Sequence, residues 1–405
     1  MFEKLLLKPF FERKLGIFFR PLLHFFRFTS KLIPKNRHLW VFGSFGGVTF
    51  SGNPKYLYLQ LQGKDDIKTV WITANRTLLK ELQHEGFEAY HRISFRGFWT
   101  VMRAGFLFFD YSTHDINYWL SGGGIKVNLW HGLPLKKISH DDPKDMRNIK
   151  DPLKRFILKI FRPWTYESWD YSIATSETFK EKLSSGLDIP LENIPVTGYP
   201  RNDVLFKVIK GSFIGSSREL FERLRKEKDE GKKIVAYFPT FRESGDNPLD
   251  HINIRDLDLL FTSHRSILVI KLHPYTPFKE KGKFRSIVFI KQSSDFYPLL
   301  SLLDLLITDY SSIYLDFIIL GKPVVFYAYD LEEYKKRNRD LYFDYERFTP
   351  GEKATDFQSL LRILGEFLAE GKDTYRDERE KFILIAHKYR DGNSAERVYE
   401  FFRKI

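Results

Sequence analysis

The chain has 405 residues, 43% of them hydrophobic, a formal charge of +13 and no cysteine. That length suits two domains that each bury a core, and the missing thiols exclude disulfides, cysteine nucleophiles and cysteine-ligated zinc or iron–sulfur centres. The basic balance points to an anionic partner, whether nucleic acid, acidic lipid or a phosphorylated substrate, without choosing among them.

Residues 1–36 interleave Lys4, Lys8, Arg13, Lys14, Arg20 and Arg27 with Phe and Leu, against only Glu3 and Glu12. This predicts an amphipathic helical segment lying on an anionic membrane surface. Charge interrupts every apolar run well short of the roughly 20 residues a spanning helix needs, and the segment also lacks the cleavage site of a signal peptide. A helix docked on the protein's own core would carry the same pattern.

From residue 37 short apolar runs alternate with helical spacing. "HLWVFGSFGG" (38–47), "KTVWITAN" (68–75), "AGFLFFDYS" (104–112) and "IKVNLWHG" (125–132) read as buried strands, and "NPKYLYLQLQ" and "RTLLKELQHEG" as helices between them. A basic stretch (136–168) precedes two further strand-to-loop units, "YSIATSE" and "IPVTGYPR", and "GSFIGSSRELFERLRKEKDEGKK" (211–233) reads as a domain junction. The second half repeats the alternation with "KIVAYFPTFRE", "SILVIKLHP", "SIVFIK", "DLLITDYSS" and "KPVVFYA", and a helical tract from about 354 closes it. The expected architecture is α/β: a basic segment 1–36 and two doubly wound domains, 37–210 and 211–405, with ligands at the carboxyl ends of their strands. No internal repeat stands out.

In "DLLITDYSSIYLDF" an apolar strand ends at Asp309, and Ser311 and Ser312 precede a helix that carries Asp316. Hydroxyls and amides at such a turn suit a phosphate or diphosphate, although capping alone also accounts for one serine. "VIKLHPY" places His273 beyond a strand, where it would donate to a phosphate oxygen and, as a cation, would stabilise a leaving diphosphate; "AYFPTFRES" offers Thr240 and Arg242, and "VTGYPRND" offers Arg201. "KVNLWHGLPLKK" holds His131, then Gly132, which permits close backbone approach, and Lys136 and Lys137. The residues leave His131 open between a general base and a satisfied structural histidine. The Gly-rich "FGSFGG" fits neither a dinucleotide fingerprint nor a P-loop and is left for backbone contact with an acceptor, with Asn53 and Lys55 of the adjacent "SGNPKY" as acceptor-side candidates. No motif assigns a metal ligand.

Taken together, "NLWHG", "PLKK", "TGYPRND", "YFPTFR", "KLHP", "ITDYSSIYLDF" and the terminal "RDGNSAERV" resemble the CDP-glycerol glycerophosphotransferase family of teichoic acid primases and polymerases, from about residue 38 to the end. The resemblance implies a GT-B fold with two Rossmann-like domains facing a cleft. It implies His131 as base and His273, Ser311 and Ser312 at the donor diphosphate, with Gly132, Arg201, Thr240, Arg242, Asp309 and Asp316 as further donor-side residues, Asp316 standing open between a donor hydroxyl and a helix contact. The implied reaction passes glycerol phosphate from CDP-glycerol to a polyprenyl-diphosphate-linked disaccharide and releases CMP, at the cytoplasmic face of the bacterial plasma membrane. Lys136 and Lys137 would then meet the anionic acceptor. No tightly bound cofactor is implied, and Mg²⁺ assistance and homo-oligomer formation stay open. Length favours a primase-like enzyme over the long polymerases; a short glycerol- or ribitol-phosphate polymerase and a GT-B nucleotide-sugar glycosyltransferase are the alternatives. A nucleic-acid-binding role is disfavoured, because the aromatics fall in apparent strands or in the N-terminal segment rather than on an exposed stacking surface.

Overall fold

The computed structural model describes residues 20–242, 245–273, 275–277, 282–337 and 340–405, so Lys4, Lys8, Arg13 and Lys14 lie outside the described residues. The described residues form two compact units, one within 20–131, 139–215 and 391–405, the other within 132–138 and 216–390.

The first unit is built on six parallel strands, β1 (Asn36–Phe42), β2 (Lys68–Thr73), β3 (Ala89–His91), β4 (Ala104–Phe109), β5 (Ile125–Asn128) and β6 (Tyr171–Ser172), in the order β3-β2-β1-β4-β5-β6. A parallel sheet is covered on both faces, which is why β4 reads as an unbroken apolar run and is buried throughout. Phe42 stacks on Phe108, and Phe402 of the helix Ser394–Phe402 meets Phe106 and Phe108 edge-on.

That last packing corrects the expected 211–405 boundary: the C-terminal helix belongs to the first unit. Asp203 accepts the amides of Ser394 and Ala395 at 2.9 Å each, a carboxylate at the helix's positive end. Gly198, at φ +80°, lets this helix approach, since a Cβ there would lie 2.5 Å from Ser394 Oγ.

The second unit repeats the plan with β7 (Ile234–Tyr237), β8 (Ile267–Ile270), β9 (Ile287–Phe289), β10 (Leu305–Thr308), β11 (Val324–Tyr327) and β12 (Glu352–Ala354), ordered β12-β11-β10-β7-β8-β9 and parallel throughout. Segment 132–138 joins it by pairing with 340–342: Lys137 N donates to Asp340 O at 2.8 Å and Tyr342 N to Leu135 O at 2.9 Å.

The helix Arg20–Leu32 departs in part from the expected membrane segment. Arg27 donates to Tyr118 O at 2.7 Å, to Ser121 Oγ at 2.8 Å and to Glu167, and it lies over the Tyr118 ring. Arg27 is therefore spent inside the first unit and is withdrawn as a membrane contact. The opposite face of this helix leaves Leu22, Phe25, Phe28 and Leu32 exposed.

Candidate active site

In each sheet the strand order reverses once, and a doubly wound sheet opens its ligand crevice at the carboxyl edge of that reversal. In the first unit the point lies between β1 and β4. Asp110, at the end of β4, accepts the Phe45 amide at 3.2 Å; Asp115 accepts Gly46 at 2.7 Å, Tyr111 at 2.8 Å and Ser112 at 3.2 Å. The glycine-rich loop expected to touch an acceptor therefore has two of its amides filled by the protein's own carboxylates. Burial, and then the charge of Asp115, push Asp110 well above the usual carboxylate range. Burial raises Asp115 too, but its three amides oppose that rise, so Asp110 is the member of the pair that holds a proton more readily.

Directly beside this pair stands His131, exposed at the end of the loop that follows β5. Its Nδ1 lies 3.1 Å from the backbone oxygen of Asp110. A carbonyl only accepts, so Nδ1 carries the hydrogen and the neutral ring holds its lone pair on Nε2. The backbone leading to it is fixed: Trp130 sits at φ +56°, a left-handed conformation costly for a non-glycine residue, and Asn128 Oδ1 accepts its amide at 2.9 Å. Asn53 donates to Leu129 O and Trp130 O at 2.9 Å each, and Arg201 Nη1 donates to His131 O at 2.6 Å. The bland alternative of a satisfied core histidine does not describe an exposed ring presented by so much buried structure.

Asn53, Lys55 and Arg201 are thus placed differently from their expected ligand roles. Asn53 is fully buried in the histidine's support, Arg201 spends a nitrogen on the His131 carbonyl, and the buried Lys55 donates to Ser212 O and Ile214 O at 2.7 and 2.8 Å.

The reversal in the second unit lies between β7 and β10. Asp309, at the end of β10, accepts Thr240 N at 2.9 Å, Thr240 Oγ1 at 2.6 Å and Tyr310 N at 2.6 Å, and pairs with Arg242 at 2.8 Å. Arg242 also holds Asp330 through two nitrogens, at 2.7 and 3.0 Å, under the rings of Tyr310, Tyr329 and Tyr334. Arg242, Thr240 and Asp309, expected on the donor, are instead satisfied by one another and brace the loop that presents Ser311 and Ser312. Asp316 is likewise buried and accepts the Tyr297 hydroxyl at 2.8 Å. Ser311 and Ser312 remain half-buried at the start of the helix Ile313–Phe317, with no side-chain cap from Ser312.

His273 has the tautomer opposite to that of His131. Its Nδ1 receives the Tyr275 amide at 3.3 Å, so the neutral ring carries its hydrogen on Nε2. Burial, then Lys271 and Lys136, lower its pKa to about 4. Of the two expected forms of His273, hydrogen-bond donor and cation, the ring at neutral pH takes the neutral donor form. Lys136, expected at the acceptor, bonds the Tyr334 hydroxyl and adds to the field at His273; Lys137 pairs with Asp340 at 3.3 Å. Gly132 is buried where the chain enters the second unit.

Sequence reasoning missed Asp110, Asp115, Tyr275 and Asp330. A signal for the first was present: Asp-Tyr-Ser occurs at 110–112 and again at 309–311, at the reversal of each sheet, where the aspartate takes an amide from the loop after the unit's first strand. Among the described residues no cluster of His, Asp or Glu is arranged to hold a metal ion.

Two doubly wound units, each offering a histidine of fixed tautomer beyond a strand, define a group-transfer enzyme of GT-B architecture. The chain belongs to the CDP-Glycerol:Poly(glycerophosphate) glycerophosphotransferase family, which it matches over residues 24–404. It is 28% identical over 399 residues to the teichoic acid poly(glycerol phosphate) polymerase of Bacillus spizizenii, covering 91% of this chain and 93% of that one. It is 28% identical over 391 residues to the teichoic acid glycerol-phosphate transferase of Staphylococcus aureus (91% and 94%), and 29% over 290 residues to the teichoic acid glycerol-phosphate primase of Bacillus subtilis (69% and 68%). The structure of the wall teichoic acid polymerase TagF superposes with a TM-score of 0.73 at 23% identity, over 96% of this chain and 98% of that one, and shares the fold.

Proposed function

We propose that the enzyme transfers glycerol phosphate from CDP-glycerol to a hydroxyl of a polyprenyl-diphosphate-linked disaccharide. The acceptor oxygen attacks the phosphorus that bears glycerol, its proton passes to Nε2 of His131, the bond to CMP breaks, and CMP leaves with the electron pair. His273 donates its Nε2 hydrogen to a donor phosphate oxygen, and the Ser311 and Ser312 hydroxyls bind the diphosphate. The single observation that carries this reading is the bond from His131 to the Asp110 carbonyl, which leaves the base lone pair on the outward nitrogen. In this proposal no tightly bound cofactor is required, and chelation followed by Mg²⁺ titration reads whether the free cation assists the donor.

Addition of a single unit, as by a primase, is the first form of the proposal. Repeated addition is the second, because a relative named a polymerase matches this chain over nearly its whole length. Mass analysis of the product from CDP-glycerol and from CDP-ribitol on one defined lipid acceptor tests both: one added glycerol phosphate supports the first, a ladder the second, and CMP release from neither donor overturns the reading.

We place the enzyme on an anionic membrane, at the cytoplasmic face of the bacterial plasma membrane. The helix Pro152–Phe161 buries none of its residues; it exposes Leu153, Phe156 and Ile157, and carries Lys154, Arg155 and Lys159 with no acid beyond its cap Asp151. Arg20 of the N-terminal helix lies 5.4 Å from the Phe161 ring, joining this helix to the exposed Leu22 and Phe25 side. An apolar stripe flanked by cations is what an interfacial helix needs. No described helix is long and apolar enough to cross a membrane.

A further inference from the structure

We infer that Asn53 is a positioning residue for His131, holding the strained loop that sets which ring nitrogen bears the lone pair. The inference rests on the reading of His131 as base. It starts from the amide's inventory of one acceptor oxygen and two N–H donors, each costly to bury without a partner. Asn53 is 0% exposed and uses all three: Oδ1 accepts Arg201 N at 3.2 Å, and Nδ2 donates to Leu129 O and to Trp130 O at 2.9 Å each.

These two carbonyls flank the Trp130 backbone at φ +56°. A left-handed residue persists only where its surroundings over-determine it, and here Asn53 holds the carbonyl on each side of it. His131 follows at once, so the position of its Nδ1 against the Asp110 oxygen depends on that backbone.

The segment carrying Asn53 reaches the other support as well. Gly52, at φ +69°, lies so close to Asp110 that a Cβ would sit 2.5 Å from its Oδ2. The start of the helix Gly52–Gln60 therefore packs against both the donor side and the acceptor side of the His131–Asp110 bond. Arg201 closes the arrangement, donating its backbone amide to Asn53 Oδ1 and its Nη1 to the His131 carbonyl. A side chain that fixes two peptide groups next to a base affects the rate by geometry, and small misplacements of a reacting group cost up to roughly 100-fold.

Asn53→Asp keeps the acceptor oxygen and removes both donors, and it is measured in the full-length enzyme with CDP-glycerol and a soluble analogue of the lipid acceptor. The expected result is a fall in kcat of roughly 10- to 100-fold with KM for CDP-glycerol within about two-fold. In ¹⁵N spectra of histidine-labelled protein, the His131 ring moves from the Nδ1–H form of the wild type toward a mixture of tautomers. A folded variant with wild-type kcat, or with an unmoved His131 spectrum, overturns the inference. If Asn53→Asp does not fold, Asn53→Ser, which removes the amide donors without burying a charge, carries the test, with the same loss of kcat and the same shift of the His131 signal expected. His131→Ala separates the two readings: wild-type turnover there overturns the base itself, whereas an inactive His131→Ala beside a fully active Asn53→Asp overturns only the positioning role.

Discussion

The backbone amide of Tyr275 donates to Nδ1 of His273, whereas Nδ1 of His131 donates to the backbone oxygen of Asp110. One main-chain contact leaves a hydrogen on the first ring's Nε2, and the other leaves a lone pair on the second ring's. Glutamine places its amide nitrogen near the Nε2 position and supplies the hydrogen that His273 supplies. His273→Gln is expected to keep more activity than His273→Ala, which loses roughly 100- to 1,000-fold in the rate of CMP release. For His131 no such rescue exists, and His131→Gln and His131→Ala are expected to be equally inactive. Single-turnover CMP release measures all four.

Much of this was legible beforehand. Alternating apolar runs and helical spacing predicted two doubly wound sheets, and His131, His273, Ser311 and Ser312 stand at strand ends where their motifs put them. What was not legible is whether a polar group at a strand end faces outward or inward. Arg242, Thr240 and Asp309 have the composition of a phosphate site, yet they satisfy one another; Arg27 looked like a membrane cation and is bound to Glu167. Their partners lie 69 and 140 residues away, and pairings of that range come from topology rather than local pattern.

Burial beside Asp115 raises the Asp110 carboxyl, and this makes a prediction of opposite sign to a salt bridge. With its pKa raised in the folded chain, Asp110 contributes stability at acid pH that is lost as pH rises through the folded value. Asparagine keeps the oxygen that accepts the Phe45 amide and offers N–H to Asp115 at every pH. Asp110→Asn is therefore expected to melt at or above the wild-type temperature at pH 8, with the gain shrinking toward pH 5. Thermal unfolding across that range checks it, and a variant uniformly less stable than wild type defeats this account of Asp110.

Two imidazoles, His114 buried and His273 half-buried, work in the other direction. Burial lowers His114 to about 3, and burial with Lys271 and Lys136 lowers His273 to about 4. Between these values and the ordinary 6.5 the unfolded chain takes up protons that the folded chain refuses, so stability falls as pH drops below about 6.5. His114 stacks on Trp164, and its Nδ1 has no hydrogen-bond partner among the described residues. His114→Phe is expected to flatten the acid side of the stability curve by up to about 1.4 kcal/mol per pH unit. Denaturant unfolding at pH 7, 6 and 5 reads the slope.

The helix Pro152–Phe161 decides the membrane proposal, because its apolar side chains make so little use of the fold. Leu153 and Phe156 are 67% and 62% exposed, so charging them removes no core contact and the melting temperature is expected to stay within a degree or two of wild type. On a bilayer each would bury an apolar side chain worth about 1.5–3 kcal/mol. Leu153→Asp with Phe156→Asp is then expected to lower partitioning onto anionic phospholipid vesicles by at least about 100-fold in co-sedimentation. Neutral vesicles are expected to bind the wild type less, and added salt to weaken its binding to anionic ones, since Lys154, Arg155 and Lys159 act through a screened field. Undiminished sedimentation of the double variant would move the attachment to another surface of the chain.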